Sequence, residues 1–343
     1  MMGFKIRKEN FNNALKNLRK DFKVYAPTTL EGKGTFSDTN SIRYKEISSV
    51  EEINFKEKSN FSFKEVILLI TQTLFYFTED NWIEPKTDKE NILIFLRSCD
   101  LHGLKRIDDI YLKNGSEDPY YKAIRERVKF VVMGCNESFE NCFCVSMGTN
   151  KSEIYNLGIN IDKENVYVDI KDNSLEKYFN KVQIEEKLEV EPKYVKENKV
   201  KVNISDKIKL DKIVNLDFWN EYSKRCIACG RCNFVCPTCT CFTMQDIFYK
   251  DNAKAGERRR VWASCQIDGY TNMAGGHGFR IDKGQRMRFK VMHKINDYKK
   301  RFGYHMCVGC GRCDDICPEY ISFSNCVNKL SNLVEEVNSN GCK

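Results

Sequence analysis

The sequence predicts an α/β domain over residues 1–205 followed by a helical, cysteine-rich domain over residues 206–343. Three observations carry that reading. Short apolar runs alternate with helix-period stretches through the first two hundred residues. A twelve-residue phrase, CIACGRCNFVCP at 226–237, returns as CVGCGRCDDICP at 307–318. Residues 1–205 carry 33 basic and 33 acidic side chains and residues 206–343 carry 23 and 15, so the whole net charge of +8 lies with the repeated phrase.

Taken in order, the α/β elements begin with a helix over Phe11–Arg19, where Leu15 and Leu18 sit at helical spacing. The run EVILLITQTLFYF at 65–77 reads as a buried helix or strand. It is too short to cross a bilayer and is broken by Thr71, Gln72 and Thr73. NILIFL at 91–96 is a buried-strand run, and Leu101, Leu104, Ile107 and Tyr111 then trace one stripe of a helix. A second helix over Tyr120–Arg127 and a strand over 128–134 complete a crossover unit with parallel strands. VYVDI near residue 168 is a further strand, and the charged, alternating stretch 185–210 reads as exposed strands or a linker. In the second part, helices are predicted over 286–302 and over the tail, where Val327, Leu330, Leu333, Val334 and Val337 recur at helical spacing.

A chain of 343 residues with 41% hydrophobic and 12% aromatic residues can bury a substantial core. Seventeen cysteines, an odd number in tight repeated spacings, favour metal binding in a reducing compartment over a disulfide framework. The polar start MMGFKIRKENFNN does not read as a signal peptide, so the expected location is cytoplasmic with no membrane partner.

Each phrase has the form C-x2-C-x2-C-x3-C-P: Cys226, Cys229, Cys232, Cys236, Pro237, then Cys307, Cys310, Cys313, Cys317, Pro318. Three cysteines at i, i+3 and i+6 let a tight loop wrap three corners of a cubane, with Gly230 and Gly311 allowing close backbone approach. In two-cluster ferredoxins the fourth cysteine ligates the other cluster. The expected ligand sets are therefore Cys226, Cys229, Cys232 and Cys317 for one [4Fe–4S] cluster, and Cys307, Cys310, Cys313 and Cys236 for its neighbour. Zinc knuckles need only four ligands in C-x2-C pairs, and two triplets overshoot that need. The long gap between the phrases, with a helix inside it, resembles a helical two-cluster ferredoxin-like module. Two clusters sharing ligands form an electron relay.

Cys99 and Cys135 end strand-like runs, and Cys142 and Cys144 follow in a loop. If the two strands are parallel neighbours, the four thiols can converge at their carboxyl ends and hold a third [4Fe–4S] cluster. The alternative is that they are structural thiols. Cys239, Cys241 and Cys265 fit small core side chains better than ligands, and Cys326 and Cys342 read as inert or exposed. No G-x-G-x-x-G after a strand and no P-loop is present, and no catalytic residue can be defended. Residues 258–301 hold twelve Lys and Arg against three Asp. That stretch reads as a solvated basic face beside anionic clusters, or an interface. A nucleic-acid-binding iron–sulfur protein would use the same patch, and is the disfavoured reading.

The stretches CDLHGLKRIDDIYL, SFENCFCVSMGTNK, CIACGRCNFVCPTCTCF, GERRRVWASC, MAGGHGFR and HMCVGCGRCDDICPEYISF, between residues 99 and 323, resemble the A subunit of anaerobic, NADH-dependent sulfite reductases. More distantly they resemble the iron–sulfur beta subunits of cytoplasmic hydrogenases. The first resemblance implies an electron-transfer subunit between a flavoprotein subunit, which binds FAD and oxidises NADH, and a sirohaem subunit that reduces sulfite to sulfide. The second implies the same wiring with a hydrogenase as terminal enzyme. The sirohaem family's own C-x5-C and C-x3-C pair is not present, so sulfite is not expected to bind this chain.

Overall fold

The computed structural model describes residues 2–36, 38–86 and 89–340, so Cys342 lies outside the described residues. By contacts the chain divides into two units that interleave in sequence. The first comprises Met1–Leu69, Glu84–Phe139 and Thr149–Glu197; the second comprises Ile70–Ile83, Glu140–Gly148 and Asn198–Lys343. In chain order the strands are β1 (Met2–Arg7), β2 (Phe22–Leu30), β3 (Ser41–Glu46), β4 (Thr71–Phe77), β5 (Trp82–Ile83), β6 (Asn91–Leu96), β7 (Val128–Met133), β8 (Leu157–Ile161), β9 (Asn165–Ile170), β10 (Glu186–Lys187), β11 (Phe242–Tyr249) and β12 (Asn252–Trp262).

The first unit is built on one mixed sheet in the order β10-β1-β9-β8-β7-β6-β2-β3. β2, β6, β7 and β8 run parallel, as the run of branched apolar residues in β6 and β7 predicts for strands covered on both faces. The crossover from β6 to β7 passes through the helices Ser98–Leu112 and Pro119–Arg125. The second of these starts at Asp118, whose carboxylate accepts the Tyr121 N–H at 2.8 Å, with Pro119 at the first helical position. On the first helix Leu101, Leu104 and Ile107 are buried, as their spacing requires. Lys8–Leu18 is the predicted first helix, and it buries Phe11, Ala14, Leu15 and Leu18 in a core with Phe4, Leu93, Val131, Ile159 and Val168. Each of the Phe, Leu, Ile and Val side chains contributes roughly 1.5–3 kcal/mol relative to exposure.

One sequence expectation changes here and another resolves to its second alternative. The run 65–77 is not one buried element: Lys64–Ile67 forms a single helical turn, Leu69 and Ile70 are half exposed, and Thr71–Phe77 is β4 of the second unit's sheet. The three polar residues interrupt its helical period and restore the two-residue period of a half-covered strand. Within 185–210 only Glu186 and Lys187 form a strand before the helical turn Leu210–Ile213, so the charged stretch is chiefly connector.

The second unit packs helices Phe218–Arg225, Lys283–Met292 and Phe323–Asn340 around Trp219, Tyr222, Met287, Val291, Ile295, Val327 and Leu330. The predicted helix over 286–302 is found as Lys283–Met292, a π-helical turn His293–Asp297, and Tyr298–Phe302. A four-stranded antiparallel sheet, β11-β12-β4-β5, is added to these helices. Its hairpin lies between the two cysteine phrases, in a stretch to which the sequence reading assigned no element. The basic stretch is not one solvated face either. Arg258 pairs with Asp246 across the hairpin and Arg259 with Glu257, while Arg260, Arg286, Lys290 and Lys294 are buried. Among the described residues no helix is long and apolar enough to cross a membrane.

Candidate iron–sulfur centre

The two cysteine phrases adopt the same local conformation. Cys226 terminates the helix Phe218–Arg225, its N–H reaching the Tyr222 carbonyl at 2.9 Å. The chain then takes positive φ at the third and fifth residues of the phrase, Ala228 at 59° and Gly230 at 73°. The second phrase repeats this at Gly309, 64°, and Gly311, 70°. In both, the third residue's N–H points back to the first cysteine: Ala228 N to Cys226 Sγ and Gly309 N to Cys307 Sγ, each 3.4 Å. A short helix follows each glycine, Arg231–Phe234 and Arg312–Asp315, and carries the third cysteine, Cys232 or Cys313. Amide hydrogens aimed at sulfur favour its thiolate form.

One cavity of the second unit is lined by Cys226, Cys229 and Cys232 from the first phrase and by Cys313, Cys317 and Pro318 from the second, with Lys290 beside them. The thiols of the first expected set, Cys317 included, thus meet on one cavity although Cys317 follows Cys232 by 85 positions in the sequence. Of the second set, Cys310 and Cys313 sit in the repeated turn. Cys236 shares its surroundings with Cys307, and both face Lys294. Among the described residues no three His, Cys, Asp or Glu side chains gather as ligands of a single ion.

The donor chemistry suits an anionic iron–sulfur core. Burial pushes the Cys307 thiol up to about 12 and Cys313 well above its ordinary range, so these groups need a metal to be held as thiolates. Burial also works against the Lys290 ammonium, but Cys232, Cys313 and Cys239 outweigh it and hold it well above an ordinary lysine. At Lys294 burial is likewise outweighed, by Cys236, Cys239 and Cys307, and the ammonium donates to the Thr238 hydroxyl at 2.6 Å. Two buried cations against thiols offer countercharge to an anionic cluster. They were missed in the sequence because buried and solvated lysines on an amphipathic helix have the same spacing. Their one signal is position, Lys290 and Lys294 each preceding a core residue, Val291 or Ile295.

The remaining cysteines separate into two groups. In the first unit, Cys99 lies in the first turn of Ser98–Leu112 and Cys135 lies just beyond β7. The β6–β7 ladder, with Leu96 opposite Val132, sets both at neighbouring parallel strand ends, as expected. Arg97, buried, donates to Cys135 Sγ at 3.4 Å and to the Phe55 carbonyl at 2.7 Å. Cys142 and Cys144 belong instead to the second unit. Cys142 Sγ donates to the Cys310 carbonyl at 3.4 Å, and the Phe143 N–H donates to Gly309 O at 2.8 Å. The Asn198 side chain meets Cys144 Sγ at 3.7 Å. The four thiols grouped by sequence are therefore divided two and two.

Cys239 and Cys265 are buried and hydrogen-bonded to neighbouring thiols. Cys236 is held low by its bond from Cys239, and Cys265 falls to about 5 through its bonds from Cys241, Gln266 and Asn233. Cys326 is fully buried in the helical core, with Tyr222 beside it, which makes it a core side chain and not an exposed one.

Comparison with known proteins agrees with this geometry. Residues 225–321 match the family model described as a 4Fe-4S dicluster domain. Over 342 residues the chain is 27% identical to sulfhydrogenase 2 subunit beta of Pyrococcus furiosus, covering 92% of this chain and 95% of that protein. The chain is a distant homologue of a sulfhydrogenase beta subunit and carries a 4Fe-4S dicluster domain. No solved structure matches it. The dicluster domain implies two [4Fe–4S] clusters, and it spans both phrases, the hairpin and the lysine-bearing helix.

Proposed function

We propose that this chain is the beta-type electron-transfer subunit of a hydrogenase-class oxidoreductase complex. It passes single electrons through two adjacent [4Fe–4S] clusters held by Cys226, Cys229, Cys232 and Cys317 and by Cys307, Cys310, Cys313 and Cys236. The observation that carries the reading is the cavity shared by thiols of both phrases, which suits an exchange of fourth ligands and hence a close cluster pair. Bound there, each cluster supplies a one-electron carrier. The protein's own part is to exclude water, aim the Ala228 and Gly309 N–H groups at sulfur and set buried cations beside it.

The likeness to a sulfhydrogenase beta subunit over nearly the whole chain favours a hydrogenase as the terminal enzyme. An anaerobic sulfite reductase, with an FAD-containing NADH-oxidising flavoprotein and a sirohaem subunit, would use the same wiring, and the motif stretches between residues 99 and 323 support it as the second reading. A third cluster on Cys99, Cys135, Cys142 and Cys144 is supported by sequence alone. The deciding experiment is anaerobic affinity purification of the tagged chain from its own cells, followed by metal and cofactor analysis. Co-purified nickel supports the hydrogenase reading. Sirohaem in its place would overturn it in favour of sulfite reduction, and a preparation without iron would overturn both.

A further inference from the structure

Lys290 and Lys294 are 5% and 3% exposed and stand one helical turn apart, on Lys283–Met292 and its continuation His293–Asp297. Withdrawing an ammonium from water costs several kcal/mol unless opposite charge or good acceptors replace the water. The groups found around this pair include sulfurs, one hydroxyl and, for Lys290, the Phe323 ring at 5.6 Å. Lys290 faces Cys232 of the first phrase and Cys313 of the second. Lys294 faces Cys236 and Cys307, and donates to Thr238 Oγ1 at 2.6 Å. On the ligand sets proposed above, Lys290 therefore stands between the two clusters, whereas both ligands beside Lys294 belong to the second cluster.

We infer that Lys290 and Lys294 are the internal countercharges that set the two reduction potentials, Lys294 acting chiefly on the second cluster and Lys290 on both. This inference rests on the iron–sulfur reading. A [4Fe–4S] core on four thiolates carries about two negative charges when oxidised, and one-electron reduction adds a third. A fixed cation nearby favours the reduced form, and in a poorly screened interior its effect falls off with distance only slowly. Removing Lys290 then makes both clusters harder to reduce and roughly preserves the gap between them. Removing Lys294 changes that gap. The pair acts by position, with no proton or ligand exchange.

The test uses the full chain, prepared anaerobically with its clusters, in an EPR-monitored potentiometric titration with dithionite as reductant. Iron and acid-labile sulfide are counted first on every variant. Lys294→Met should lower both midpoints, with the larger shift on the second cluster. At the wild-type midpoint the reduced-to-oxidised ratio of that cluster should fall at least tenfold, a negative shift of about 59 mV for one electron. Lys290→Met should lower both, and Lys290→Arg and Lys294→Arg should shift them far less. Where a Met variant loses iron, Lys294→Gln and Lys290→Gln remove the charge but retain a donor for Thr238 or sulfur, and the same shifts are expected. Full iron with unmoved midpoints in the charge-removing variants, or Arg variants that shift as far as Met, would overturn the inference while leaving the cluster reading intact. Wild-type protein without iron and labile sulfide would overturn the cluster reading itself.

Discussion

The Asn141 amide donates to the Asp315 carboxylate at 2.7 Å, fastening the residue before Cys142 to the short helix of the second cysteine phrase. The same segment leaves no space at the phrase's two glycines. A Cβ at Gly309 would lie 2.6 Å from the Phe143 carbonyl carbon, and one at Gly311 would run into the Asn141 carbonyl. Both glycines also hold positive φ. Gly311→Ala should therefore cost more than the roughly 1–3 kcal/mol of backbone strain alone, and should lower the iron content. Thermal unfolding and iron analysis on the same preparation check it. A variant with wild-type melting and full iron would refute the close packing of 140–148 on the second phrase.

The crossed ligand arrangement makes a prediction that sequence proximity would not. Cys317→Ser should remove the cluster wrapped by Cys226, Cys229 and Cys232, although it lies in the other phrase. Iron should fall from about eight per chain toward four, with loss of magnetic coupling between clusters in the reduced EPR spectrum. A wild-type count of about twelve irons would instead add the third cluster on Cys99, Cys135, Cys142 and Cys144.

Asp172 gives the first unit a defined acid sensitivity. Burial tends to raise its carboxyl, but Lys129 at 2.5 Å, Ser174 and the Asn156 amide outweigh this and bring it down to about 2. A depressed carboxylate stabilises the fold above its unfolded value near 4, and loses that contribution as pH falls through its folded value. Asp172→Asn should cost roughly 1–2 kcal/mol at pH 7, after allowance for its 25% exposure. The difference from wild type should shrink between about pH 4 and pH 2, which urea titrations at several pH values can follow.

Neighbouring ion pairs on the hairpin should differ in weight. Arg258 and Asp246 meet at 2.6 Å with side chains 45% and 37% exposed, so Arg258→Ala should barely move the unfolding midpoint. Glu257 is 7% exposed at its side chain, accepts from Thr73 Oγ1 at 2.7 Å and pairs with Arg259. Glu257→Ala strands these partners and should cost about 1–3 kcal/mol. Comparison of the two unfolding midpoints decides it, and equal effects would speak against a buried role for Glu257.

By itself the sequence determined the cofactor class, the phrase pairing expected for the ligands, and the parallel β6–β7 core. Cysteines within eleven residues, and apolar runs of six, reflect constraints that are local along the chain. Only the tertiary structure decided that Thr71–Phe77 pairs antiparallel with β12, Arg258 opposite Phe75, that residues 140–148 pack on the second phrase, and that Lys290 and Lys294 are interior. Each of these depends on a partner far away in sequence: Asn141 with Asp315, Thr73 with Glu257, Lys294 with Thr238. Helical spacing reports which residues share a face, but whether that face meets water or thiols depends on what folds against it.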